Sequence, residues 1–124
     1  FEGFLRDRYT TLEDASSRIL STEIHALWSY LNTEIDFDSC WQQARVLLLE
    51  RFATHQSASL QQTLHVLGSA VLEQNDAIGE ILLSLPNRHC LLIDLSPFGL
   101  ENDGEIFVPT ETPSGLIEAR LKRG

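Results

Sequence analysis

Arg18-Ile-Leu-Ser-Thr-Glu-Ile-His-Ala-Leu-Trp-Ser-Tyr30 alternates, and the residues after it do not. Leu20, Ile24, Ala26, Trp28 and Tyr30 share one parity, while Ser21, Glu23, His25 and Ser29 fall on the other. A period of two with one apolar face predicts a strand that is wet on one side and buried on the other. Beyond Tyr30 the period changes. Asp36 and Asp38 are carboxylates suited to cap a helix N-terminus, and Trp41, Ala44, Leu48 and Phe52 recur at helical spacing up to about His55. Ser57 and Ser59 offer a second cap. Leu60, Leu64, Leu67 and Val71 then line one face of a second helix that stops near Asn75.

Outward from this strand-to-helix switch, the flanks read as strands. Gly3–Leu12 is rich in aromatic and β-branched residues, and a polar turn at Glu13–Ser17 separates it from Arg18–Tyr30, so the two are expected to pair as a hairpin. Downstream, strand signals run from Ile78 to Leu85, are interrupted by Pro86 and Asn87, and resume over Cys90–Leu95. Ser96–Gly104 reads as a loop, and Glu105–Pro109 and Leu116–Lys122 as short strands around a turn containing Pro113 and Gly115. Two strands, two helices and further strands predict an α+β fold, an antiparallel sheet with two helices packed on one face. No internal repeat is visible, and residues 1–124 read as one domain.

Composition narrows the function classes. With 43% hydrophobic residues the chain can bury a core. Its net charge of −9 argues against nucleic acid and against an anionic membrane surface. No apolar stretch is long enough for a membrane helix, and no secretory leader is visible. Cys40 and Cys90 form no C-x-x-C pair and are expected to be reduced thiols. The chain begins at Phe1 and holds no methionine, so a piece of something longer is expected. G-x-S-x-G, P-loop and H-E-x-x-H patterns are absent, and His25, His55, His65 and His89 lack ligand spacing, so no metal site is expected.

Several motifs in fixed order carry a more specific message. Phe1-Glu-Gly-Phe-Leu-Arg-Asp-Arg-Tyr-Thr-Thr-Leu12 and Arg18-Ile-Leu-Ser-Thr22 resemble the middle of urate oxidases. Ser57-Ala-Ser-Leu-Gln61, Leu85-Pro-Asn-Arg-His89 and Asp94-Leu-Ser-Pro-Phe98 resemble three further signatures of that family, and Glu105-Ile-Phe-Val and Gly115-Leu-Ile-Glu complete the series. The resemblance implies a tunnelling fold, with residues 1–124 as the carboxy-terminal one of two related domains and the amino-terminal domain outside this chain. It implies a homotetramer around a tunnel, with sites where subunits meet. The implied reaction oxidises urate with dioxygen to 5-hydroxyisourate and hydrogen peroxide, without metal or organic cofactor. The end at Arg123-Gly124 lacks a peroxisomal S-K-L address, so a cytoplasmic enzyme is expected, or a peroxisomal one if a eukaryotic tail has been trimmed.

The resemblance also assigns roles. Phe1 matches the aromatic platform under the purine, where a flat ring stacks on a flat heterocycle. Arg18 matches the arginine that grips the urate anion, and a guanidinium fork suits adjacent carbonyl and ring-nitrogen acceptors. Gln61 matches the glutamine on the opposite edge, whose amide offers donor and acceptor side by side. Leu12 and Leu60 match pocket-lining positions, Leu60 through its backbone N–H at a helix start. Asn87 matches the asparagine beside the oxygen site, and His89 a histidine of the proton relay. Met singly, each would read more plainly: Phe1 and the leucines as core, Arg18 and Gln61 as solvated, Asn87 as a turn residue. The relay's lysine and threonine lie in the amino-terminal domain, and the single lysine here, Lys122, does not match. This chain alone is therefore expected to build part of a pocket without efficient turnover. Two other readings are a non-catalytic assembly lobe and a pterin-acting tunnelling-fold enzyme.

Overall fold

Two side-chain caps start the two helices. Ser39 N–H donates to Asp36 Oδ1 at 3.1 Å ahead of α1 (Phe37–Thr54). Gln62 N–H donates to Ser59 Oγ at 3.1 Å ahead of α2 (Leu60–Gln74). Each cap satisfies an N–H that has no partner within the helix. Of the four expected caps, Asp36 and Ser59 take the part. Ser57 is instead buried, accepting from Thr63 Oγ1 at 2.7 Å. The helices end at His55 and Asn75, as their apolar periodicity predicts.

The computed structural model describes residues 4–11 and 18–124. Among them three strands form one antiparallel sheet in the order β1 (His25–Tyr30), β2 (Ile78–Leu92), β3 (Phe107–Lys122). Helix α2 lies across β2 and β3, and α1 packs against α2. Ile78, Ile81, Leu83 and Leu85 of β2 are fully buried against Leu64, Leu67 and Val71 of α2 and Ala44 and Leu48 of α1. Leu20, Ile24, Ala26, Trp28 and Tyr30, the apolar parity of the first strand, pack on this core. Each fully buried leucine or isoleucine of β2 contributes roughly 1.5–3 kcal/mol on burial. Trp41, expected on the inner stripe of α1, is 47% exposed and flanks a groove with Ile24 and Trp28.

The parity of β2 shifts once, and Gly79 is the reason. Tyr30 pairs with Ile78 but Ser29 with Glu80, so Gly79 is the extra residue of a bulge. A Cβ there would stand 2.5 Å from Leu31 Cδ2, the far end of an exposed side chain that would have to swing aside. Arg123 ties the end of β3 to the same corner. Its guanidinium donates to the carbonyls of Leu72 and, at 2.9 Å, Asn75 at the α2 C-terminus.

Five expectations need correction. The described part of Gly3–Leu12, residues 4–11, contains no strand. Asp7 Oδ1 accepts from Tyr9 N–H at 2.8 Å and Asp7 N–H donates to Thr10 Oγ1 at 2.9 Å, which is Asx-turn chemistry that competes with extension. The expected hairpin is accordingly replaced: β1 pairs with β2. Gly3, Leu12 and the turn residues 13–17 lie outside the described residues. The ladder of the Arg18–Tyr30 strand begins only at His25, preceded by a lone bridge between Ser21 and Arg88. The break expected at Pro86 does not occur, because β2 runs through it. Pro86 C=O accepts from Thr22 Oγ1 at 2.7 Å, on the side where β1 has already ended. A strand residue presents its N–H and C=O to the same neighbour, so the N–H that proline lacks is not missed. Finally, the two short strands expected at 105–109 and 116–122 are one strand, β3.

Candidate active site

The site follows from a break in register. Asn87 pairs with Gly115 and His89 with Thr110, so Arg88 alone stands opposite residues 111–114 of β3. The surplus residues have no partner in the ladder, and a cleft of about 550 Å³ lies at this break. Its walls are Asn87, His89 and Cys90 from β2, Thr110, Glu111 and Ser114 from β3, and Ser21 from the segment before β1. Asn87 and His89 are two apart on an extended strand and both half-buried, while Arg88 between them is exposed.

The approach to β1 fixes the third wall. Arg88 N–H donates to Ser21 C=O at 3.1 Å, and its guanidinium pairs with Glu23. Glu23 in turn reaches His25 Nε2 at 3.3 Å. These bonds hold residues 21–23 beside Pro86–Arg88, although no strand ladder reaches so far. Thr110 Oγ1 donates to His89 C=O at 3.4 Å across the break.

The structure gathers Asn87 and His89 into one cleft, and Arg18, Leu60 and Gln61 are not among the residues that line it. Arg18, half-buried, lies just upstream of Ser21, with its guanidinium carbon 5.0 Å from the Phe4 ring centroid. Gln61 is exposed on the first turn of α2. Leu60 sends its side chain into the core, 4% exposed, and its N–H precedes the one satisfied by Ser59. Phe1 and Leu12 lie outside the described residues. Ser21, Cys90, Thr110, Glu111 and Ser114 were not foreseen as neighbours of Asn87. Only the register of β3 brings them there, and no local sequence signal reports it. Among the described residues no group of three His, Cys, Asp or Glu stands close enough to hold a metal ion, and no helix is long and apolar enough to cross a membrane.

An antiparallel sheet with two helices on one face, and a cleft where its long hairpin breaks register, make this an α+β protein with the arrangement that the tunnelling fold requires. A family model described as Uricase matches residues 1–118. The Uricase of Arthrobacter globiformis is 48% identical over 123 residues, spanning 99% of this chain and 41% of that protein. The Uricase of Aspergillus flavus is 40% identical over 136 residues, spanning 99% and 45%. The crystal structure of Uricase from Arthrobacter globiformis superposes with a TM-score of 0.88, covering 98% of this chain and 42% of that one. The chain belongs to the uricase family. It spans less than half the length of the relatives it matches.

Proposed function

We propose that this chain is the carboxy-terminal, urate-holding side of a urate oxidase. The observation that carries this reading is the pairing of Asn87 and His89 in one half-buried cleft within a chain of the uricase family. In this reading the working enzyme oxidises urate with dioxygen and water to 5-hydroxyisourate and hydrogen peroxide. Urate supplies the electron pair that dioxygen takes up, so the protein's share is to hold the anion flat, place oxygen over one face and move protons.

Arg18 grips one edge of the urate anion with two charge-assisted hydrogen bonds. Gln61 meets the opposite, urea-like edge with its amide, and the Leu60 N–H adds a donor from the open first turn of α2. Phe1 stacks under the ring and Leu12 closes its side. Asn87 orients the small molecule above the ring, first oxygen and then water. His89 passes protons, an imidazole being able to take and give one near neutral pH. The partners are the amino-terminal half of the enzyme, which brings the rest of the relay, and further subunits of a homotetramer. No metal and no organic cofactor is required.

The test compares two samples, this chain joined to its amino-terminal half and this chain alone. The joined protein should consume urate and oxygen together and release peroxide. The isolated chain should show little turnover. Absence of oxygen-dependent urate loss from the joined, assembled protein would refute the reading. If it also bound no inert urate analogue, an assembly lobe would be the better description.

A further inference from the structure

The geometry points to Phe4 as a positioning residue for Arg18: its ring is the face against which the urate-gripping guanidinium is held. This deepens the urate reading and rests on it. Arg18 Cζ lies 5.0 Å from the Phe4 centroid, and Arg6 Cζ lies 5.4 Å from the same centroid. Both fall within the range of about 6 Å over which a ring's negative face attracts a guanidinium.

Two observations separate this role from ordinary packing. Phe4 is half-buried while every residue from Leu5 to Tyr9 is exposed, so its ring is the anchored part of the segment. Among the described residues it is not one of the side chains that form or cover the core of the sheet and helices. Two guanidinium groups stand over its ring instead.

The chemistry explains why such a contact suits a gripping arginine. A guanidinium lying on a ring face has the plane of its N–H fork fixed by that face. A long, flexible arginine side chain loses rotamer freedom when it is held in one pose. A ring that restricts the side chain beforehand removes part of this cost from binding. The segment bearing Arg18 is fixed from its other end, since Thr22 Oγ1 donates to Pro86 C=O at 2.7 Å and Arg88 N–H to Ser21 C=O at 3.1 Å. Arg18 is thus held between the cleft side and the Phe4 ring.

The experiment uses the complete enzyme, with urate as the probe and KM and kcat read separately. Phe4→Leu should raise KM about tenfold with kcat within about twofold of the parent, as expected for lost arginine positioning. Phe4→Tyr keeps an aromatic face and should restore the parent KM. In an Arg18→Lys background, Phe4→Leu should add little further, because the residue it positions is already gone. An unchanged KM in Phe4→Leu, a full additive effect in the Arg18→Lys background, or loss of cooperative unfolding in Phe4→Leu would each overturn the proposal. A parent enzyme that neither binds nor oxidises urate would overturn the urate reading itself, a result distinguishable from all three.

Discussion

The two halves of the β2–β3 hairpin share one hydrogen-bonded ladder and differ in almost everything else. On the near side of Asn87, Ile81, Leu83 and Leu85 are fully buried beneath α2. On the far side, Leu91, Leu92, Ile106 and Val108 are 39–49% exposed, and Phe98 and Leu100 at the tip more so. The tip is closed by a side-chain amide rather than by an apolar core. Asn102 Nδ2 donates to the carbonyls of Ile93 and Ile106 at 2.9 and 2.8 Å, while its Oδ1 accepts from the N–H groups of Glu105 and Ile106 at 3.1 Å each. Since the ladder is common to both halves, the near half owes its stability to the helix above it. The cleft opens where one regime gives way to the other, with one wall on the core and the other on the arm.

This contrast breaks if the two halves respond alike to the same truncation. Leu83→Ala removes a fully buried side chain and should cost on the order of 2–5 kcal/mol of unfolding free energy. Leu91→Ala, at a residue 49% exposed, should stay within about 0.5 kcal/mol. Denaturant titrations of both variants at equal slope decide it, and comparable losses would mean that the arm is buried against something in solution. At the boundary the expectation is kinetic. His89→Ala in the complete enzyme should lower kcat about 100-fold, the order expected for a lost proton-transfer group, while the unfolding midpoint stays near the parent's. A kcat within twofold of the parent would remove His89 from the relay. On the arm itself, Asn102→Ala should weaken local closure by about 1–2 kcal/mol. Hydrogen exchange should then speed up at Glu105 and Ile106 with no change at Ile81 and Leu83. A uniform change along the whole hairpin would show the two halves to be one cooperative unit.

The same contrast separates what was legible in the sequence from what was not. Both helices were legible, because Asp36, Ser59 and Asn75 act locally and the apolar stripe of α2 meets the core directly. The alternation of β1 was legible for the same reason. The strand expected at Gly3–Leu12 misled because Tyr9 and Thr10 favour extension, while the side chain of Asp7 bends the backbone between them. Pro86 misled in the opposite direction. Its missing N–H would matter only beneath a neighbouring strand, and whether one lies there depends on where β1 ends, far away in sequence. Asn87 and His89 stand two apart on β2, and both line the cleft. Thr110 and Ser114 could not be foreseen, because they reach the cleft only through a register jump that depends on pairing between distant segments. Tertiary register is the one level at which no local rule of the chain applies.

The smallest expected effect concerns the arm's own turn, and pH reads it. Asp94 Oδ1 accepts from Ser96 N–H at 2.9 Å at the start of the short helical turn Ser96–Phe98. Hydrogen bonds from the Ser96 hydroxyl, and secondly from its backbone N–H, hold the Asp94 carboxyl below the ordinary aspartate value of 3.8. Both bonds favour the charged form, so the folded pKa lies below the unfolded one. The stabilisation is then fully present above pH 3.8 and is lost as pH falls through the lowered folded value. Because Asp94 is exposed, the consequence is local: the Ser96 amide should lose its acceptor in that acid window while the core amides of β2 are unmoved. A carboxyl-carbon NMR titration should place the Asp94 midpoint below 3.8. Ser96→Ala removes the larger contribution and should bring the midpoint part of the way back, since the backbone bond remains. A midpoint at or above 3.8 in the parent would mean that the turn is not held by this carboxylate in solution, and Asn102 would then be the arm's main polar clasp.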